Sequence, residues 1–277
     1  MAPDGHIQSP FIFLVNMIDL RTQNTLRYIL PMREGGSLPA LVEADDEFRY
    51  VLKFKGGGHG PKALVSELIG GEIARAAGFH VPELVFLNVA PDFGITEPDE
   101  EVQDLLKASQ GLNLGLHFLK GALNLDPYAN PVDETLASRI VWLDSFILNV
   151  DRTTRNPNML EWNKECWLID HGSSLYFHHN WQDRDKAIAT PFPYIKNHAF
   201  IHKASKLEEA DEFMKGKITK EKISEIVNSV PDEWLAWEGE ESTPRGLKDE
   251  YIRILTERLD NSEIFVNHAI KAHDGLV

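Results

Sequence analysis

One stretch limits the folds open to this chain more than any other. Leu148-Asn-Val-Asp-Arg-Thr-Thr-Arg-Asn-Pro-Asn-Met-Leu160 is followed at once by Trp167-Leu-Ile-Asp-His-Gly172. An apolar helix runs into Asp151, a polar loop carries Asn156 and Asn158, and a short apolar segment ends on Asp170 before a glycine. A helix end and a hairpin at this spacing can converge, bringing a carboxylate, an amide and a second carboxylate together. Phosphoryl transfer needs that grouping. One carboxylate accepts a hydroxyl proton, and the amide and the other carboxylate are hard oxygen ligands for magnesium on ATP.

The helix expected ahead of the loop is Asp133 to Leu148, with apolar residues at helical spacing and acids in its first turn. Two short strands, near Met159–Trp162 and Cys166–Ile169, flank an Asn163-Lys164 turn. Further helices are expected near 207–215, 219–229, 246–259 and 261–273. Upstream, Thr25–Leu30, Ala40–Val42 and Phe48–Phe54 read as strands. Gly56-Gly-Gly-His-Gly-Pro61 leads to a helix over about Lys62 to Ala77, with Gly78 as a left-handed C-cap. Val81–Ala90 reads as another strand. The layout is α+β: a small antiparallel β lobe with one main helix, a connector, and a larger, mostly helical lobe, as in protein-kinase-like two-lobed folds. Residues 24–120 form the small lobe with its connector, 121–277 the helical lobe, and 1–23 an added strand or a partner-binding segment.

Lys53 falls late in a small-lobe strand, between Leu52 and Phe54, where it can reach the α/β-phosphates if an acid steadies it. Glu67, in the following helix, supplies that acid. Alone, Lys53 would read as a surface lysine on an edge strand, and Asp151 as a cap or turn residue. Their conjunction with Asn156 and Asp170 shifts both readings toward chemistry. Asp-x4-Asn is weak by itself and gains force from the strand-Asp-x-Gly behind it.

Composition closes off other classes. The 277 residues carry a formal charge of −15, which opposes broad binding to nucleic acid or to anionic membranes. With 43% hydrophobic and 26% charged residues the chain can bury a core. Phe11–Ile18 is too short to span a bilayer, and no basic stretch precedes it. The single cysteine, Cys166, excludes an intramolecular disulfide and multi-cysteine zinc sites, so a cytoplasmic setting is expected. His171, His178 and His179 near Asp170 suggest a metal hydrolase, but no His-Glu-x-x-His spacing supports it. No Gly-x-Ser-x-Gly elbow is present. Gly56–Gly60 lacks the Gly-Lys-Ser/Thr ending of a P-loop and reads as a flexible turn. The acidic runs Glu97–Asp104 and Glu238–Ser242 read as a solvated loop or helix face. The tryptophans read as core or half-buried, with Trp234 and Trp237 also open as a partner surface.

Asn149-Val-Asp-Arg-Thr-Thr-Arg-Asn-Pro-Asn158 with Leu168-Ile-Asp-His-Gly172 resembles the catalytic and metal-binding loops of HipA-like kinases. Tyr50–Phe54, Ser66–Ala74 and Gly78–Pro82 are similar to the lysine strand, helix and exit of the same family, and phosphatidylinositol kinases share a similar loop. The resemblance implies that Asp151 is the catalytic base, that Asn156 and Asp170 bind Mg2+, and that Lys53, oriented by Glu67, contacts ATP. It places Arg33 to Pro39 over the phosphates, with Gly35 and Gly36 offering backbone amides and Ser37 a hydroxyl. Arg155 joins the nucleotide-binding set by steadying the transferred phosphate; pairing with a phosphoresidue, or a plain ion pair, stays open.

The implied acceptor is a Ser/Thr hydroxyl on a protein, with a small-molecule alcohol or lipid headgroup as the alternative and a nucleotide-binding pseudokinase as the competitor from another class. A helix-turn-helix antitoxin-type partner is a further implication. Thr153 stands where the family commonly has histidine, His171 replaces the aromatic of Asp-Phe-Gly, and there is no room for the extra N-terminal subdomain of full-length toxins. A stand-alone kinase is expected more than a persistence toxin.

Overall fold

Five strands close on themselves in the N-terminal half: β1 (Thr22–Pro31), β2 (Ala40–Ala44), β3 (Arg49–Lys53), β4 (Leu84–Val89) and β5 (Gly111–His117), in the order β1-β2-β3-β5-β4. The computed structural model describes residues 18, 20–32, 38–95, 97–129, 132–237 and 242–276. All neighbouring strands are antiparallel except β1 and β4, which pair in parallel over Thr22–Asn24 and Phe86–Asn88. This parallel pair departs from the expected antiparallel sheet. Its cause is the crossover through helix α1 (Pro61–Ala76), which returns the chain in the same direction. Ala40, Val42, Tyr50, Leu52, Val85 and Leu87 fill the interior.

Neither β5 nor the helix before it, α2 (Glu100–Ala108), was expected from the sequence. Glycines at 111 and 115 mask the strand alternation of β5. Gly115 is needed there, because a Cβ would lie 2.5 Å from Leu87 Cδ1. The acidic run from Glu97 is the start of α2, capped by Asp99, whose side chain accepts from the Glu101 amide at 3.0 Å. Gly56–Gly60 is a packed turn: the Gly56 amide donates to Ser109 Oγ at 3.1 Å.

Helix α1 is buried from Leu64 to Ala74 and ends as expected. The Gly78 amide donates to Arg75 O at 2.9 Å and the Phe79 amide to Ala74 O at 3.1 Å, the paired bonds of a Schellman motif. Gly78 has φ +93°. Gly78→Ala is therefore expected to destabilise the protein by about 1 kcal/mol, read as a lower urea midpoint with an unchanged slope.

Helix α3 (Glu134–Ile147) is capped by Asp133, which accepts from the Leu136 amide at 2.7 Å, and is buried through most of its length. It stops at Leu148 in the left-handed region (φ +56°), which turns the chain out of the core toward Asp151. Strands β7 (Met159–Trp162) and β8 (Glu165–Leu168) form the expected hairpin, with β6 (Leu123–Asn124) at the edge. Asn163 and Lys164 both have positive φ, as a two-residue primed turn requires.

After the short helix α4 (Lys186–Ala189) come α5 (Leu207–Lys217), α6 (Lys220–Asn228), α7 (Pro244–Asp260) and α8 (Glu263–Asp274), near the expected positions. Trp234 is fully buried, lies edge-on to Phe86, and donates from Nε1 to Leu112 O at 3.1 Å. Trp237 packs against Trp181 and Tyr251. Trp234 is thus an internal seam between the helical part and the barrel rather than an open partner surface, whereas Trp237 is half-buried. No described helix is long and apolar enough to cross a membrane.

Candidate active site

Strand β3 ends on Lys53, helix α1 presents Glu67 to it, and the chain leaving β8 brings up Asp170. Lys53 Nζ lies 2.6 Å from Asp170 Oδ1 and 3.4 Å from Glu67 Oε2. Burial alone pushes the Lys53 ammonium down, but the two carboxylates outweigh it and hold the lysine above its usual range. Burial likewise acts to raise Asp170, and the close lysine reverses this, keeping the carboxyl below the usual carboxylate range. Glu67 has the longer contact and is pushed up by burial. Asp170 is thus the closer of the two carboxylate partners of Lys53. Its backbone is left-handed (φ +56°), a conformation aspartate tolerates better than most residues.

Asp151 is half-buried at the mouth of its loop. Its Oδ2 accepts from Asn156 Nδ2 at 2.8 Å and from Asn158 Nδ2 at 3.1 Å. Among the described residues nothing donates to Oδ1, so one oxygen is fixed and the other is free for a hydroxyl. The Asn158 carbonyl accepts from the Ile169 amide at 3.1 Å, which ties the Asp151 loop to the residue before Asp170. The Asn158 side chain, to which the sequence assigns no role, shares Asp151 Oδ2 with that of Asn156. Arg155 is exposed on the turn closed by the Thr153 amide and the Asn156 carbonyl.

Beneath the loop lies a buried polar strut that sequence reasoning missed. Arg152 Nε donates to Asp144 Oδ2 at 2.6 Å, and Arg152 Nη1 donates to the Asn158 and Pro157 carbonyls at 2.5 and 3.2 Å. Asn149 Nδ2 donates to Asp144 Oδ1 at 3.0 Å. His198 Nδ1 accepts from the Phe200 amide, so Nε2 carries the proton and donates to Asp144 Oδ2 at 3.0 Å. Burial alone would raise Asp144; Arg152 and His198 override it and hold the carboxyl at about 2. The one sequence signal was an aspartate inside the apolar run Val141-Trp-Leu-Asp-Ser-Phe-Ile147.

Gly35, Gly36 and Ser37 lie outside the described residues. The strands on either side of them are described, and Pro31 and Ala40 pair across the connection. Among the described residues no group of three or more His, Cys, Asp or Glu could hold a metal ion. Of the histidines near Asp170, His178 Nδ1 contacts the Tyr251 hydroxyl at 2.8 Å, and burial pushes His171 down to about 3.

A family model described as HipA-like kinase matches residues 27–267. No curated protein sequence matches the chain. Among solved structures, the Helicobacter pylori proinflammatory kinase CtkA is similar over 93% of this chain and 99% of its own, with 12% identity and a TM-score of 0.55. A Golgi casein kinase with Mn/ADP bound is similar over 93% of this chain and 75% of its own, with 12% identity and a TM-score of 0.47. The first likeness establishes an α+β kinase fold.

Proposed function

We propose, for a chain that belongs to the HipA-like kinase family and is therefore a kinase, that it transfers the γ-phosphoryl group of ATP, with Mg2+, to a serine or threonine hydroxyl on a protein. The observation that carries this reading is the lysine–carboxylate trio Lys53, Glu67 and Asp170, linked through Ile169 and Asn158 to an Asp151 with one unengaged oxygen.

Asp151 Oδ1 accepts the hydroxyl proton as the acceptor oxygen attacks the γ-phosphorus and the bond from that phosphorus to the β,γ-bridging oxygen breaks, its electron pair leaving on ADP, while Asn156 and Asn158 hold Oδ2 and so set the direction of attack. Lys53 places its charge on the α/β-phosphates, and Glu67 keeps the ammonium from collapsing onto Asp170 alone. Asn156 and Asp170 would hold the magnesium, and their hard oxygen donors suit that ion. When bound, it supplies positive charge to the phosphate oxygens. Gly35, Gly36 and Ser37 join β1 to β2, where backbone amides can cover phosphates. Arg155 steadies the transferred group.

In domain terms, residues 24–120 serve as the nucleotide-binding lobe with its connector and 121–277 as the lobe bearing the catalytic and metal-binding loops. A cytoplasmic setting agrees with the single cysteine. A helix-turn-helix antitoxin-type partner is the association the family suggests.

The reading is tested with γ-labelled ATP, magnesium and a whole-cell extract. Label on protein serine or threonine, lost when magnesium is chelated, is expected. Label found only on small alcohols or lipid headgroups would replace the protein acceptor with that class.

A further inference from the structure

Helix α1 carries two adjacent glycines in its interior, Gly70 and Gly71, each about 1 kcal/mol worse there than alanine. Close approach explains them. A Cβ at Gly70 would lie 2.8 Å from His171 Cβ, and one at Gly71 would lie 3.0 Å from Leu84 Cδ1 and 3.9 Å from His171 Nδ1. The helix is thinned where residue 171 presses against it.

That residue is a fully buried histidine with no hydrogen-bond partner for either ring nitrogen, and neither Glu67 oxygen has one of good geometry. Unpartnered buried polar atoms are costly and rare enough to need a reason. Here they face each other. His171 Nδ1 stands 3.9 Å from Glu67 Oε1, while Lys53 approaches the other oxygen, Oε2, at 3.4 Å. The gap exceeds a hydrogen bond by about 1 Å.

We propose that His171 is a positioning residue for phosphoryl transfer: in the loaded site it donates from its ring nitrogen to Glu67 Oε1, so that Glu67 is held by Lys53 on one oxygen and by His171 on the other. The inference rests on the nucleotide-and-magnesium reading given above. His171 directly follows Asp170, so the bond makes helix α1, Lys53 and the Asp170 loop move as one body. A phenylalanine would fill the same space and offer no donor. The diglycine is the seat that lets the imidazole come close enough.

The test compares His171→Phe and His171→Asn in the whole chain. Phenylalanine is expected to keep the thermal midpoint within a few degrees while turnover falls by about 100-fold, the scale of a 1 Å misplacement, and KM for the protein acceptor stays constant. Magnesium-ADP binding, read by calorimetry, should weaken in parallel. Asparagine, which restores a donor, should recover part of both losses. Wild-type turnover and binding in His171→Phe would overturn the proposal and leave the kinase reading standing. A wild-type protein that binds magnesium-ADP in a His171-dependent way but transfers phosphate to no acceptor would overturn the acceptor chemistry and support the positioning role. Failure of the wild type to bind magnesium-ADP would overturn both.

Discussion

Asp151→Asn should lower the turnover of phosphoryl transfer by about 10³-fold while KM for ATP changes little. The substitution keeps the side-chain volume, and Asn156 and Asn158 still have a carbonyl oxygen to bond. The proton acceptor is what disappears. Asp151 does not touch Lys53, Glu67 or Asp170 among the described contacts, so nucleotide affinity should survive. Steady-state kinetics alongside a magnesium-ATP thermal shift separates the two quantities. A variant that retains turnover within tenfold of wild type would remove Asp151 from the role of base.

Asp144→Ala should be the most destabilising single change in the loop region. It leaves the Arg152 guanidinium buried without its carboxylate, a situation that costs about 3–5 kcal/mol. At this chain length the melting temperature should drop by about 10 °C. Activity should fall as well, since Arg152 no longer braces the carbonyls of Pro157 and Asn158.

The same carboxylate gives stability a pH dependence. Its folded value of about 2 lies below the ordinary aspartate value, so the folded state binds the proton less readily than the unfolded one. The contribution, about 2 kcal/mol, is fully present above about pH 4 and is lost as pH falls toward 2. Urea titrations between pH 5 and 2.5 should show this slope in the wild type. Asp144→Asn should flatten it; an unchanged slope would assign the acid sensitivity to other groups.

The candidate site was easier to read from the chain than its supports were. Asp151, Asn156 and Asp170 share one short stretch, and Lys53 and Glu67 sit on a strand and helix with clear patterns, so their residue types and order were enough to suggest a site. The strut was not legible, because His198 reaches Asp144 across 54 residues and pairing at that distance depends on the packing of α3. Strand β5 was hidden by Gly115, whose missing side chain breaks the alternation because Leu87 fills that space. The closed sheet was equally out of reach, since the parallel contact of β1 with β4 depends on where α1 returns the chain.

The seam at Trp234 has a consequence for how the molecule comes apart. Its indole bonds a barrel carbonyl 122 residues away and covers Phe86, so the sheet half ends its own surface on a side chain donated by the other half. Separated from that indole, the barrel would expose an aromatic face and an unpaired strand carbonyl. The two halves therefore share one cooperative unit of folding, and melting should proceed as a single transition instead of one half surviving the other.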